Sequence, residues 1–111
     1  MFLVEAIPAK MLDVYIERPD AAVIDLRSRE EYEKSHVQGA LSLPYEEIDE
    51  KTPFPGEKIL VFYCDRGGAS LMLARKLARR GYVTKSVIGG FAAYRGRHLV
   101  YGQHKEKKTG G

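Results

Sequence analysis

The sequence predicts an α/β domain: a mainly parallel sheet with helices on both faces. Two short runs, Ala21 to Leu26 and Ile59 to Tyr63, are almost wholly apolar, as strands buried on both faces are. Between and after them lie stretches with helical spacing and capping residues. The chain has 111 residues, 44% hydrophobic and 30% charged, which suits one globular domain with its own core.

The elements follow in order. Pro8 suits a first helical turn, and Met11, Leu12 and Tyr15 share one face of the helix that follows. Arg18-Pro19-Asp20 is a turn before the first strand. Ser28 is spaced to cap the polar helix of residues 29–34, with Glu31 as its capping-box partner. A short strand is expected between Gly39 and Pro44, a small helix over 45–50, and a linker turn over 53–58. Ile59 to Tyr63, five β-formers in succession, is the strongest strand signal. A helix is expected from Ser70 to Arg80, with Gly81 ending it. Leu71, Leu73, Ala74, Leu77 and Ala78 form its apolar side, and Arg75, Lys76, Arg79 and Arg80 its outer side. A last short strand at Ser86 to Ile88, a last helix over 89–99 and a polar tail complete the pattern. The domain is expected to run from residue 1 to 101 and the flexible tail from 102 to 111.

Several classes are excluded. No apolar run reaches the roughly 18 residues of a membrane-spanning helix. The start has no basic segment and contains Glu5 and Pro8, unlike a secretory signal. One cysteine allows neither an intrachain disulfide nor a cysteine zinc site, and a lone thiol without an export signal points to the cytoplasm. Charge is uneven: residues 1–55 hold six Lys/Arg against twelve Asp/Glu, whereas residues 56–111 hold twelve against three. Such a basic half either draws anions to a site or pairs with the acidic half across the fold. Aromatics do not interleave with the basic residues, so nucleic-acid binding is not expected.

Chemistry is expected at Cys64, which directly follows the strongest strand, where ligand sites of open parallel sheets form. Five small or polar residues separate it from Ser70. Gly67 and Gly68 let the backbone curl so that successive N–H groups face inward, and the first amides of the helix add partial positive charge. Such a cradle favours the thiolate, the nucleophilic form. Arg66 adds a cation and Asp65 opposes it. The candidate substrate-binding loop is therefore Asp65, Arg66, Gly67, Gly68, Ala69 and Ser70, with Cys64 as catalytic nucleophile. The plainer alternative is a buried structural thiol after a strand.

Three groups of residues, in consistent order from Val23 to Tyr94, resemble one family. The first is Asp25-Leu26-Arg27, Glu31-Tyr32, His36-Val37-Gln38-Gly39-Ala40 and Leu43-Pro44. The second is Tyr63-Cys64, Gly67, Ser70, Leu77 and Gly81-Tyr82. The third is Val87-Ile88-Gly89-Gly90-Phe91 with Tyr94. Together they resemble the single-domain rhodanese-like sulfurtransferases. The resemblance implies a three-layer α/β/α domain with a central, mainly parallel five-stranded sheet, and a cysteine that carries sulfur as a persulfide. It implies a donor such as thiosulfate or a persulfide-bearing protein or small molecule, and a thiol or cyanide as acceptor. Neither a metal nor an organic cofactor is needed, and neither nucleic acid nor membrane is an expected partner. Many members carry arginine at the position of Ala69, so this chain should hold an anionic donor less firmly, with Arg66 as partial substitute.

A non-catalytic rhodanese-like binding module is the alternative function. A cysteine phosphatase or arsenate reductase would need arginine at the sixth position after the cysteine to clamp an oxyanion, and Ser70 stands there. Asp25 and Arg27 read as a structural ion pair, and His36 as a hydrogen-bonded structural residue. Phe91 and Tyr94 read as core or pocket wall. Gly89-Gly90 reads as a point of close approach to the Cys64 loop. His98 and His104 show no metal spacing, and Gly110-Gly111 reads as tail.

Overall fold

The computed structural model describes residues 4–102. Its centre is a five-stranded sheet in the order β1 (Glu5–Ile7), β6 (Val83–Val87), β5 (Ile59–Tyr63), β2 (Ala21–Asp25), β4 (Leu41–Ser42). Every pairing within it is parallel. β5 lies in the middle, with Val23 opposite Val61 on one side and Phe62 opposite Ser86 on the other. A strand there is covered on both faces, hence its unbroken apolar sequence.

Alternate side chains of β5 feed two cores. Val61 and Tyr63 point to one side, packing with Ile7, Val23 and Val87 against Leu12 and Tyr15 of α1 (Leu12–Tyr15). Leu60, Phe62 and Cys64 point to the other, packing with Ile24 against Leu73, Ala74 and Leu77 of α3 (Gly68–Ala78). The domain therefore has three layers, and Cys64 hangs from the central strand on the α3 side.

Short elements complete the frame. A 3-10 turn at Ala9–Met11 runs into α1, and Pro8 stands at its start as the sequence predicts. α2 (Arg29–Lys34) is capped by Ser28, whose Oγ accepts from the Glu31 N–H at 3.2 Å. Only a 3-10 turn, Tyr45–Glu47, forms where a small helix was expected. α3 ends as predicted: the Gly81 N–H donates to the Ala78 carbonyl and the Tyr82 N–H to the Leu77 carbonyl, with Gly81 at φ +98°.

Two expectations need correction. The last helix is absent. Gly89 and Gly90 both have positive φ, so only one 3-10 turn, Gly90–Ala93, forms before Tyr94 becomes extended. The chain then enters β7 (Leu99–Tyr101), antiparallel to β3 (Ser35–Val37) in a separate two-stranded sheet. α3 also starts two residues early, at Gly68, with Gly67 at its cap position in the left-handed region. Residues 103–111, with His104 and Gly110-Gly111, lie outside the described residues. No described helix is long and apolar enough to cross a membrane.

Candidate active site

β5 delivers Cys64 to the carboxyl edge of the sheet. Beyond it the backbone turns through Asp65 and Arg66 to Gly67, at φ +108°, a conformation that side chains other than glycine rarely adopt. That turn aims the Gly67 N–H at the thiol: it donates to Cys64 Sγ at 3.1 Å. Cys64 is only 7% exposed, so its sulfur meets incoming reagents from one direction.

The loop is braced from behind. The Phe91 N–H donates to the Cys64 carbonyl at 2.7 Å, and the Ala92 N–H to the Asp65 carbonyl at 3.1 Å. Gly89-Gly90 permits this approach, as the sequence predicts: a Cβ on Gly90 would collide with the Cys64 carbonyl and stand 2.6 Å from the carbonyl oxygen of Asp65. Beneath the loop the buried Ser70 hydroxyl bonds the Gly67 carbonyl at 3.1 Å and the Ser86 hydroxyl at 2.8 Å. Thus β6 and the turn after it hold the loop from two sides.

In front of Cys64 is an open cleft of about 840 Å³. Leu26, Arg27, Phe91 and Tyr45 contribute to its walls, and Asp65, Arg66, Gly68 and Ala69 to its loop side. Arg27 is held in place by Asp25: its Nε and terminal nitrogen meet the carboxylate at 3.1 and 2.8 Å, and its backbone N–H donates to the same group at 2.9 Å. A further bond reaches the Ser35 carbonyl at 2.6 Å, and the guanidinium lies 3.9 Å from the Phe91 ring centre. Burial opposes the charge on Arg27, but the bonds and charge of Asp25 outweigh it and raise the Arg27 pKa. Burial, together with the Asp25 charge, raises the pKa of Tyr63 well above its ordinary value. Its hydroxyl accepts from the Val37 N–H at 3.1 Å, so it stays a neutral brace.

The six candidate loop residues therefore divide. Asp65, Arg66, Gly68 and Ala69 line the cleft. Gly67 contributes its N–H to the sulfur, and Ser70 contributes support below the loop. Arg66 is exposed and has no ion pair among the described residues. His36 has the structural environment expected of it, with Nδ1 2.7 Å from the Tyr32 carbonyl and the two rings stacked. Sequence reasoning did not single out Tyr45, whose position behind Pro44 gave no chemical signal. Among the described residues, no group of three His, Cys, Asp or Glu could hold a metal ion.

A family model described as Rhodanese-like domain matches residues 8–97, and the chain belongs to that family. It is 37% identical over 91 residues to a tRNA sulfurtransferase of Desulfurococcus amylolyticus, an alignment covering 82% of this chain but 18% of that protein. It is 29% identical over 85 residues to the thiosulfate sulfurtransferase GlpE of Coxiella burnetii, covering 75% of this chain and 79% of the relative. The crystal structure of a rhodanese-like domain protein from Staphylococcus aureus superposes with a TM-score of 0.75 at 23% identity, over 88% of this chain and 98% of that one. That likeness bears on the fold.

Proposed function

We propose that the domain is a sulfurtransferase and that Cys64 carries the sulfur in transit as a persulfide. The observation that carries this reading is the Gly67 N–H directed at Cys64 Sγ, at the end of the central strand and facing an open cleft. An amide fixed there stabilises negative charge on sulfur without reorganising, as an oxyanion hole does on oxygen. The two displacements call on no neighbouring base: the Gly67 amide holds negative charge on the sulfur both when it attacks and when it leaves.

The reaction has two displacements. With thiosulfate, the Cys64 thiolate attacks the outer sulfur, a new S–S bond forms, the old one breaks, and sulfite leaves with its electron pair. The enzyme then holds Cys64–S–S⁻. A nucleophile such as cyanide or a thiolate attacks that outer sulfur, and the Cys64 thiolate leaves. Arg66, on the loop side of the cleft, attracts an anionic donor. Ala69 supplies no second cation, so a persulfide donor fits the site at least as well as thiosulfate does.

Intact mass after incubation with thiosulfate, and separately with a persulfide donor, tests the reading. One added sulfur atom on the wild type and none on Cys64→Ser is the expected result. A wild type that gains no sulfur from either donor overturns it and favours a binding module.

A further inference from the structure

From Arg66 to the last described residue the chain contains no carboxylate side chain at all. On α3 this produces one continuous face. Met72, Arg75, Lys76 and Arg79 follow the i, i+3, i+4, i+7 spacing of residues sharing a side of a helix. All four are exposed, Met72 at 63%, and none of the three cations has an ion pair among the described residues. Gly68 and Ala69, one turn before Met72, line the Cys64 cleft. The face therefore starts one turn from the mouth of the site and runs about 10 Å along the helix.

A small anionic donor needs none of this, and a cleft of about 840 Å³ is far larger than one. Resting on the sulfurtransferase reading, we propose that this face docks an acidic protein that loads Cys64 from a cysteine persulfide on a protruding segment. Charge complementarity selects an acidic partner and speeds its approach. Met72, amid the cations, adds adaptable apolar contact. No aromatic residue lies on α3 to stack a base, so the face is less suited to nucleic acid. Glu31, Glu46 and Asp65 line the cleft, and Asp49 and Glu50 border Lys76 in a neighbouring pocket, so the partner's acidic groups meet the rest of the α3 face while its sulfur-bearing segment enters the cleft. In the transfer, the Cys64 thiolate attacks the outer sulfur of the partner's Cys–S–SH. The partner's S–S bond breaks, its cysteine leaves as thiolate, and Cys64–S–SH keeps the proton.

The test uses two synthetic peptides of equal length, each with one cysteine, flanked by glutamates in one and by lysines in the other. As persulfides, they are compared by the rate at which Cys64 gains sulfur in intact mass. As alkylated peptides, they are compared by fluorescence anisotropy, which needs no sulfur chemistry. The acidic peptide is expected to load and bind roughly ten-fold better at low salt, with the difference lost at high salt. In the Arg75→Glu/Lys76→Glu/Arg79→Glu variant the preference should vanish while loading by thiosulfate stays at the wild-type rate. Equal binding of the two peptides, or a preference that survives in the variant, overturns the proposal. So does an oligoribonucleotide that binds the wild type more tightly than the acidic peptide does and loses binding in the variant. If peptide binding follows the expected pattern while no donor adds sulfur, the docking face stands and the transfer reading fails.

Discussion

The amide of Phe91 donates to the carbonyl of Cys64 at 2.7 Å, which ties the end of the central strand to the turn that follows β6. This bond depends on Gly90, whose φ of +61° and lack of a side chain let the two backbones meet.

Gly90→Ala should therefore be among the most damaging small substitutions in the domain. The added methyl collides with backbone at Cys64 and Asp65, which cannot rotate away as a side chain can, in a conformation alanine resists. A stability loss of roughly 2–3 kcal/mol in urea denaturation is expected, with loss of sulfur loading at Cys64 even where the protein remains folded.

Asp25→Asn removes the charge that holds Arg27. Asp25 is fully buried and Arg27 nearly so, and the variant leaves the guanidinium without its ion-pair partner. Breaking such a pair from one side costs about 3 kcal/mol or more, to be read as a lower urea midpoint with an unchanged slope.

Arg66 and Ala69 set the affinity for an anionic donor in the proposed reaction. Arg66→Ala should raise KM for thiosulfate about two- to five-fold with little change in kcat, as loss of an exposed charge contact does. Ala69→Arg should lower it. Steady-state kinetics with cyanide as acceptor checks both, and an unchanged KM in Arg66→Ala means that the side chain does not meet the donor.

Alkaline pH should destabilise the fold. Burial, helped by the hydrogen bond to Asp13, moves Tyr94 from its ordinary value near 10 up to about 12, so the folded state keeps a proton that the unfolded chain releases. This contribution is present below pH 10 and is lost as the pH rises towards 12. Urea midpoints measured between pH 9 and pH 12 should fall less steeply for Tyr94→Phe than for the wild type.

The central features were readable because single residues declare them. Ile59 to Tyr63 could be little other than a buried strand, and Gly81 could be little other than a helix end. Cys64 and its glycines marked the candidate site for the same reason. β1 escaped notice because three residues, two of them exposed, carry no periodic signal. Residues 89–99 suggested a helix by the spacing of Phe91 and Tyr94, yet two successive glycines at positive φ commit the chain to a turn. Ser70 looked like the start of the helix, but the helix begins at Gly68, and contact with Ser86 draws the Ser70 hydroxyl into the interior. What escaped notice depends on partners distant in sequence.

The sheet order has a consequence for how the chain is made. β1 is synthesised first but pairs only with β6, where Glu5 meets Lys85, and β3 waits for β7, where Ser35 meets Tyr101. No strand of the main sheet has a neighbour reachable by a hairpin, so its pairing starts from the crossovers that join β2 to β4 and to β5. Both early strands must stay unpaired until β6 and β7 have been made. The β4-β2-β5 half can pair once Tyr63 has emerged, but completing the sheet is a late event with long loop closures, and the hazard of mispairing is greatest for a nascent chain stalled before β6.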